Sequence, residues 1–481
     1  MAGRIPLQDT DLATVNFSVT YSTLRGIAMR PVLLLLALLG LLVAGCTPSR
    51  TTESTPGPSA APPAPTQAPP TTKLTLWTIW NAEPRKSALN QIVAGFEKAN
   101  PGVKVEVSNI EPDAYKTKIK VALGGAEPPD IFFVWSGEKM LHSFVRGGNC
   151  LDLTPYLDAD GGKWRQRIVS ASLQPYVYDN KTWGVPYLLQ CTFFFYNKEL
   201  FAKHGIQVPK TWDDLIAACK KLKAAGITPI ALGNLKKWPA HHYACCLFQR
   251  LMGHQAVMTQ YDPMGPGDYS DPGWVKGLQM FDEFQKQGFF NPSPNGVDRD
   301  DSRVLFYTEK TAMFYTGTWD FSQFSEGGPA PSSFWNKWDF FNFPAVPGGK
   351  GEQDALEGAP DGYVVSAKCK NPKLAVAFLQ YMTSVDVARA FVDKCKELVQ
   401  VKGAVDEANA SWYLKKYASM VNNARVISPW ADTAMELSVA EVLLDGVQAL
   451  LAGQKTPEQI IDEVRKRQAE VKKELQAAAT K

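Results

Sequence analysis

LTLWTIW, Leu74 to Trp80, decides the fold. Seven apolar and β-branched residues in a row read as a buried strand. The neighbouring segments give that strand its context. Ser87 to Ala99 places Leu89, Ile92, Val93 and Phe96 at helical spacing, and Asn100-Pro-Gly stops the helix. Val103-Lys-Val-Glu-Val107 alternates as a second strand. Ala114 to Leu123 reads as helix, and Asp130-Ile-Phe-Phe-Val-Trp135 as a third strand. Strands that alternate with helices predict an α/β protein with a mostly parallel sheet.

The pattern repeats downstream. Phe193 to Tyr196, Pro229-Ile-Ala-Leu, Ala312 to Tyr315 and Gly362 to Ser366 read as strands. Thr211 caps a helix on which Trp212, Leu215, Ile216, Cys219 and Leu222 share the core side. Thr456 to Leu475 closes the chain as a helix, with Thr456 as cap, Pro457 in the first turn and Gln459 completing a capping box.

Upstream the character changes. Thr47 to Thr72 carries eight prolines and ten Ser/Thr and no large apolar residue. Such a segment cannot bury enough surface to offset its ordering entropy, so it reads as a linker. Before it, Arg30 precedes an apolar run from Val32 to Val43, which fits a signal-peptide core and is too short to span a bilayer. The run ends in Leu42-Val-Ala-Gly-Cys46, which resembles the lipobox of bacterial lipoproteins. That resemblance implies a mature protein that begins at a lipidated Cys46. Met29-Arg30 would open such a signal unaided. Residues 1–28 hold Asp9 and Asp11 and no apolar core, and read as a mis-assigned start.

The composition, 45% apolar and 21% charged with net charge +3, is that of a globular protein. The chain is long enough for two lobes. No basic run suggests nucleic acid. Seven cysteines remain after Cys46, an odd count that leaves at least one thiol free and leaves disulfides open. Zincin, nucleophile-elbow, P-loop and dinucleotide motifs are all missing. His241 and His242 are adjacent, and adjacent residues diverge around a helix, so no shared metal is expected. The many carboxylates leave a glycosidase pair open.

Several segments, taken together, resemble family 1 extracellular solute-binding proteins of carbohydrate ABC importers, the maltose-binding-protein-like lipoproteins. They include LTLWTIW, FEKANPGVKVEV (Phe96–Val107), PPDIFFVW (Pro128–Trp135), LDLTPYL (Leu151–Leu157) and PKTWDDL (Pro209–Leu215). They continue with GITPIALGN and KWP (Gly226–Pro239), KTAMFYTGTWD (Lys310–Asp320), DGYVVSAKCKNPKLAVAFLQYMTS (Asp361–Ser384) and LLAGQKTPEQ (Leu450–Gln459).

The resemblance implies a two-lobed periplasmic-binding-protein type II fold with three interlobe crossovers. These fall near Gln190–Phe194, Tyr363–Val365 and Arg425–Ser428. With signal 1–45 and linker 46–72, lobe one takes 73–190 and 364–426, and lobe two takes 191–363 and 427–481. It also implies an oligosaccharide ligand, ABC permease partners, a monomer, no cofactor, no catalysis and a membrane contact through lipid alone.

A sugar offers apolar faces to aromatic rings and hydroxyl edges to polar groups. The expected ligand residues therefore lie at strand ends: Trp80, Asn81 and Glu83; Trp135 and Ser136; Trp238; Trp319 and Asp320; Asp361; and Trp430. Trp77, Trp183 and Trp212 are expected in the core. Rival readings are a binding protein for a glycerol phosphodiester or polyamine, a polysaccharide-active enzyme, and a surface adhesin.

Overall fold

The computed structural model describes residues 72–479. The signal peptide, Met29, Cys46 and nearly all of the linker lie outside the described residues. Among the described residues, no helix is long and apolar enough to cross a membrane.

The first strand is Thr72–Thr78, so the folded body already includes the last linker residue. It lies between Val103–Asn109 and Ile131–Trp135, parallel to both. The helices between them, Arg85–Ala99 and Pro112–Gly124, bury the expected apolar stripes. The strands at the far end of the sheet, Thr228–Ala231 and Thr311–Gly317, are also parallel.

The centre of the sheet is not parallel. Leu356–Val365 runs antiparallel to Ile131–Trp135 and to the 13-residue strand Val185–Asn197, which in turn runs antiparallel to Thr311–Gly317. The mostly parallel expectation therefore holds only toward the edges. The two central strands return from long excursions instead of closing short βαβ units, and a return of that kind sets no parallel direction.

Two apolar clusters flank the sheet. Along Val185–Asn197, Cys191, Phe193 and Phe195 enter the first cluster, and Phe194 and Tyr196 enter the second. The two-residue period of a strand sends alternate side chains to opposite faces, so a strand buried on both faces is apolar throughout. The first cluster also takes Phe306, Phe314, Phe321, Phe324, Trp338 and Phe340.

The capping signals are present as read. Thr211 and Asp214 form a capping box, and Thr456 and Gln459 exchange the same pair of bonds. All seven described cysteines are free thiols. Cys219 and Trp212 are core residues, whereas Trp77 and Trp183 are half-buried against the first cluster.

Candidate functional site

A cleft of about 610 Å³ opens on the sheet. One wall comes from residues 79–85, 111–120 and 135–140, and the other from 235–242, 298–323 and 430–444. The structure brings all ten expected residues to this one cleft. They do not occupy equivalent places.

Trp238, Trp319 and Trp430 form a continuous aromatic surface. Trp238 stands edge-on to Trp319 at 5.9 Å, and Trp319 meets Trp430 at 6.0 Å. His242 stacks on Trp430 at 5.0 Å and 19° and touches Trp238 at 5.3 Å. The rings of Trp238 and Trp319 are half-buried, while Trp430 is only 4% exposed. Gly317 makes the position of Trp319 possible: a Cβ there would lie 2.2 Å from the indole. Trp238 opens the helix Trp238–Met252, with Pro239 in its first turn.

The opposite wall presents Trp135, half-buried, with the Lys116 ammonium 5.5 Å from its ring centroid. Ser136 beside it is buried. Trp80 is only 2% exposed, covered by Tyr187, Tyr363 and Phe391 at 5.1–5.7 Å. Its ring belongs chiefly to the core. Asn81 and Glu83 are exposed at the rim, and Glu83 accepts a bond from the Ser87 amide.

Two acidic positions differ sharply. Asp320 is fully buried and accepts bonds from Arg299, Arg303 and Thr316. Burial alone would raise its carboxyl, but the two arginines outweigh burial and hold it below the usual range. Its lone pairs are committed, so it holds the arginines in place rather than offering itself as a free acceptor. Arg299 in turn lies 5.8 Å from the ring centroid of Trp238.

Asp361 sits at a register shift between Asp361 and Gly362, where the two central strands pair. Burial pushes it up to about 8, against the pull of nearby Arg85 and with Glu397 adding to the rise. At neutral pH it holds a proton and can donate as well as accept. Arg85 is occupied by Glu397, which also accepts from Gln190, and Gln190 accepts from Thr318.

Sequence reasoning missed Arg85, Lys116, Gln190, His242, Arg299 and Arg303. Most arrive on helices or through partners far away in the chain, and no local motif marks them. His241, His242 and Asp432 also converge, with ligand-type atoms within 4.8 Å of one another. The histidine rings meet at 4.6 Å, because both sit in the first turn of the helix. The divergence expected of adjacent histidines therefore does not hold here: with Asp432 the two form a group of metal-ligand spacing. Lys139 and Lys116 act on Asp432, and the helix N-terminus adds positive potential.

The model of the family described as bacterial extracellular solute-binding protein matches residues 80–389. The multiple sugar-binding protein of Streptococcus mutans is 24% identical over 333 residues, covering 67% of this chain and 74% of that one. A structure described with xylan utilization by the thermophilic bacterium Caldanaerobius polysaccharolyticus is 30% identical, with TM-score 0.75, covering 82% of this chain and 99% of that one. A chitin oligosaccharide binding protein is 25% identical, with TM-score 0.76, covering 84% and 99%. These overlaps establish the two-lobed type II α/β fold.

Proposed function

Because the chain belongs to the bacterial extracellular solute-binding proteins, we propose that it captures an oligosaccharide in this cleft and delivers it to an ABC importer. The observation that carries the reading is the aromatic surface of Trp238, Trp319 and Trp430, opposed across the cleft by Trp135. Sugar C–H faces stack on such rings. Asn81, Glu83, a protonated Asp361 and Arg299 supply polar edges around them. The multiple sugar-binding and chitin oligosaccharide-binding relatives support the ligand class.

Binding is reversible and needs no cofactor. Most cleft carboxylates are held by a cation or a cap: Asp113 by Lys116, Asp300 and Asp320 by arginines, and Glu441 by Lys139. The same pairs occupy cations that a phosphodiester would need. The protein acts as a monomer, with residues 73–190 and 364–426 in one lobe and 191–363 and 427–481 in the other.

A thermal-shift panel of mono- and oligosaccharides tests the ligand class. A ligand that binds only the folded state raises stability by RT ln(1 + [L]/Kd). A panel without a shift, beside a shift from glycerol phosphodiesters or polyamines, rejects it. Cys46 anchors the chain to the outer face of the cytoplasmic membrane. Accordingly Cys46→Ser moves the protein from the membrane fraction to the medium or periplasm. A mutant that still fractionates with membranes disproves the anchor.

A further inference from the structure

We propose that His241, His242 and Asp432 form a binding site for Zn²⁺ on the wall of the cleft. Such a site is independent of which solute the cleft holds.

Two buried atoms point to it. His241 is fully buried, and its Nε2 has no hydrogen-bond partner among the described residues. Asp432 Oδ1 is buried and has none either. A polar atom left unpaired away from water is costly. The two face each other at 3.4 Å, beyond the usual N–H···O length. That separation is instead the edge of a tetrahedron. With zinc bonds of about 2.0–2.2 Å to nitrogen and oxygen, two ligands of one ion stand about 3.3–3.6 Å apart.

His241 is already oriented as a ligand. Its Nδ1 lies 2.6 Å from the Trp238 carbonyl oxygen. A carbonyl only accepts, so Nδ1 carries hydrogen and Nε2 is the nitrogen left for a metal. A backbone carbonyl on the far ring nitrogen is a common device for fixing a metal-bound histidine. Zinc binding displaces any proton from the ligating nitrogen.

His242 is the third ligand. One nitrogen or oxygen from each of the three side chains lies within 4.8 Å of the others. The two histidine rings meet at 4.6 Å in the first turn of Trp238–Met252. His242 stacks on Trp430 at 5.0 Å, and no hydrogen bond fixes its ring among the described residues, so a small turn brings it to ligand distance. Two imidazoles and one carboxylate suit zinc, whereas calcium and magnesium take oxygen.

The charges permit a cation. Lys139 is paired with Glu441 at 3.3 Å and Lys116 with Asp113 at 2.9 Å. Lys120, one turn beyond Lys116, is exposed to solvent, which screens it. Among the described residues no lysine or arginine reaches Asp432 at ion-pair distance. Asp432 is therefore left as the unmatched charge. The helix N-terminus opposes a cation with only a fraction of one charge. His242 and Asp432 both line the cleft. Three protein ligands leave a fourth zinc position for water or an oxygen of the solute.

The whole chain, stripped with EDTA, is titrated with Co²⁺ as a spectroscopic substitute and then with Zn²⁺. One Co²⁺ per chain should give the strong visible bands of a four-coordinate site, and Zn²⁺ should abolish them. In the parent labelled with 15N-histidine, Zn²⁺ should shift the ring signals of two of the five histidines. Asp432→Asn, His241→Gln and His242→Gln should each weaken Zn²⁺ binding about 10-fold or more by calorimetry, with melting curves to show which variants fold. A pale octahedral Co²⁺ spectrum, a thiolate charge-transfer band that assigns the metal to cysteine, or unchanged affinity in the folded variants overturns the proposal. If no variant folds, the histidine shifts in the parent decide. No readout uses an oligosaccharide, so failure of the cleft reading leaves this site standing.

Discussion

At the residue scale, exposure separates the tryptophans into two jobs. Trp238 and Trp319 are half-buried on the cleft wall, so truncation removes cleft surface more than core packing. Trp319→Ala and Trp238→Ala should each weaken oligosaccharide binding by about 2 kcal/mol or more, the scale of hot-spot truncations. Calorimetry measures this, with melting curves as the control; normal binding by both variants means the ligand sits elsewhere. Trp80→Ala should behave oppositely. Its ring is buried against three aromatic residues, so the variant should lose about 3–5 kcal/mol of folding stability. Asp361 makes a separate prediction. Its folded-state proton is retained up to about pH 8, whereas an unfolded aspartate loses its proton near the ordinary value of 3.8. Between those values the native state binds more protons than the unfolded state, so stability falls as pH rises. Glu357, also pushed up to about 8 by burial, acts in the same direction. His242 and His254, which burial holds below the usual histidine range, act the opposite way below about pH 6.5, so melting temperatures from pH 6.5 to pH 8 should fall in the parent and fall less in Asp361→Asn; parallel curves would refute the assignment. The strand-end tryptophans were legible because α/β folds present loops at strand ends. The covering of Trp80 was not, because Tyr187, Tyr363 and Phe391 lie more than 100 residues away in sequence.

At the element scale, the turn after Thr311–Gly317 is the part most finely fitted to the cleft. The Trp319 indole folds back over Gly317, where any Cβ would strike the ring. Gly317→Ala should therefore push the ring aside and weaken ligand binding about as much as Trp319→Ala does. The backbone at Gly317 is extended, so the substitution carries no left-handed strain and folding should survive. Unchanged affinity with a folded protein would show that the ring position is immaterial. Sequence patterning found every strand of the parallel edges, because Leu74–Trp80, Val103–Val107 and Ile131–Trp135 are short apolar or alternating runs. It shortened the two central strands. Only Phe193–Tyr196 was evident within Val185–Asn197, because Pro186, Gln190 and Thr192 interrupt the apolar run. In the same way Glu357, Pro360 and Asp361 hid the first half of Leu356–Val365. Those interruptions are where the strands pass the cleft: Gln190 and Asp361 line it.

At the scale of the whole molecule, the cleft walls already meet at one end. Gly137, on the Trp135 wall, approaches the Thr433 carbonyl so closely that a Cβ would sit 2.7 Å from it. Nearby, Lys139 reaches Glu441 at 3.3 Å across the same junction. If the chain crosses between lobes near Gln190–Phe194, Tyr363–Val365 and Arg425–Ser428, as proposed, rotation about those crossovers would bring the open parts of the walls together. Ligand can drive that rotation only by its differential affinity for the closed form. Moving the population from one closed molecule in a hundred to ninety-nine takes a preference of about 10⁴-fold. An oligosaccharide held between Trp135 on one wall and Trp238 and Trp319 on the other would contact both walls only after closure, which is the source of such a preference. Small-angle scattering with and without the best ligand from the thermal-shift panel should show a smaller radius of gyration when bound. Trp135→Ala should bind more weakly and, even at saturating ligand, close less, because the wall that rewards closure has lost its ring. A radius unchanged by ligand in the parent would mean a rigid or already closed cleft, and full closure by saturated Trp135→Ala would remove Trp135 from the account.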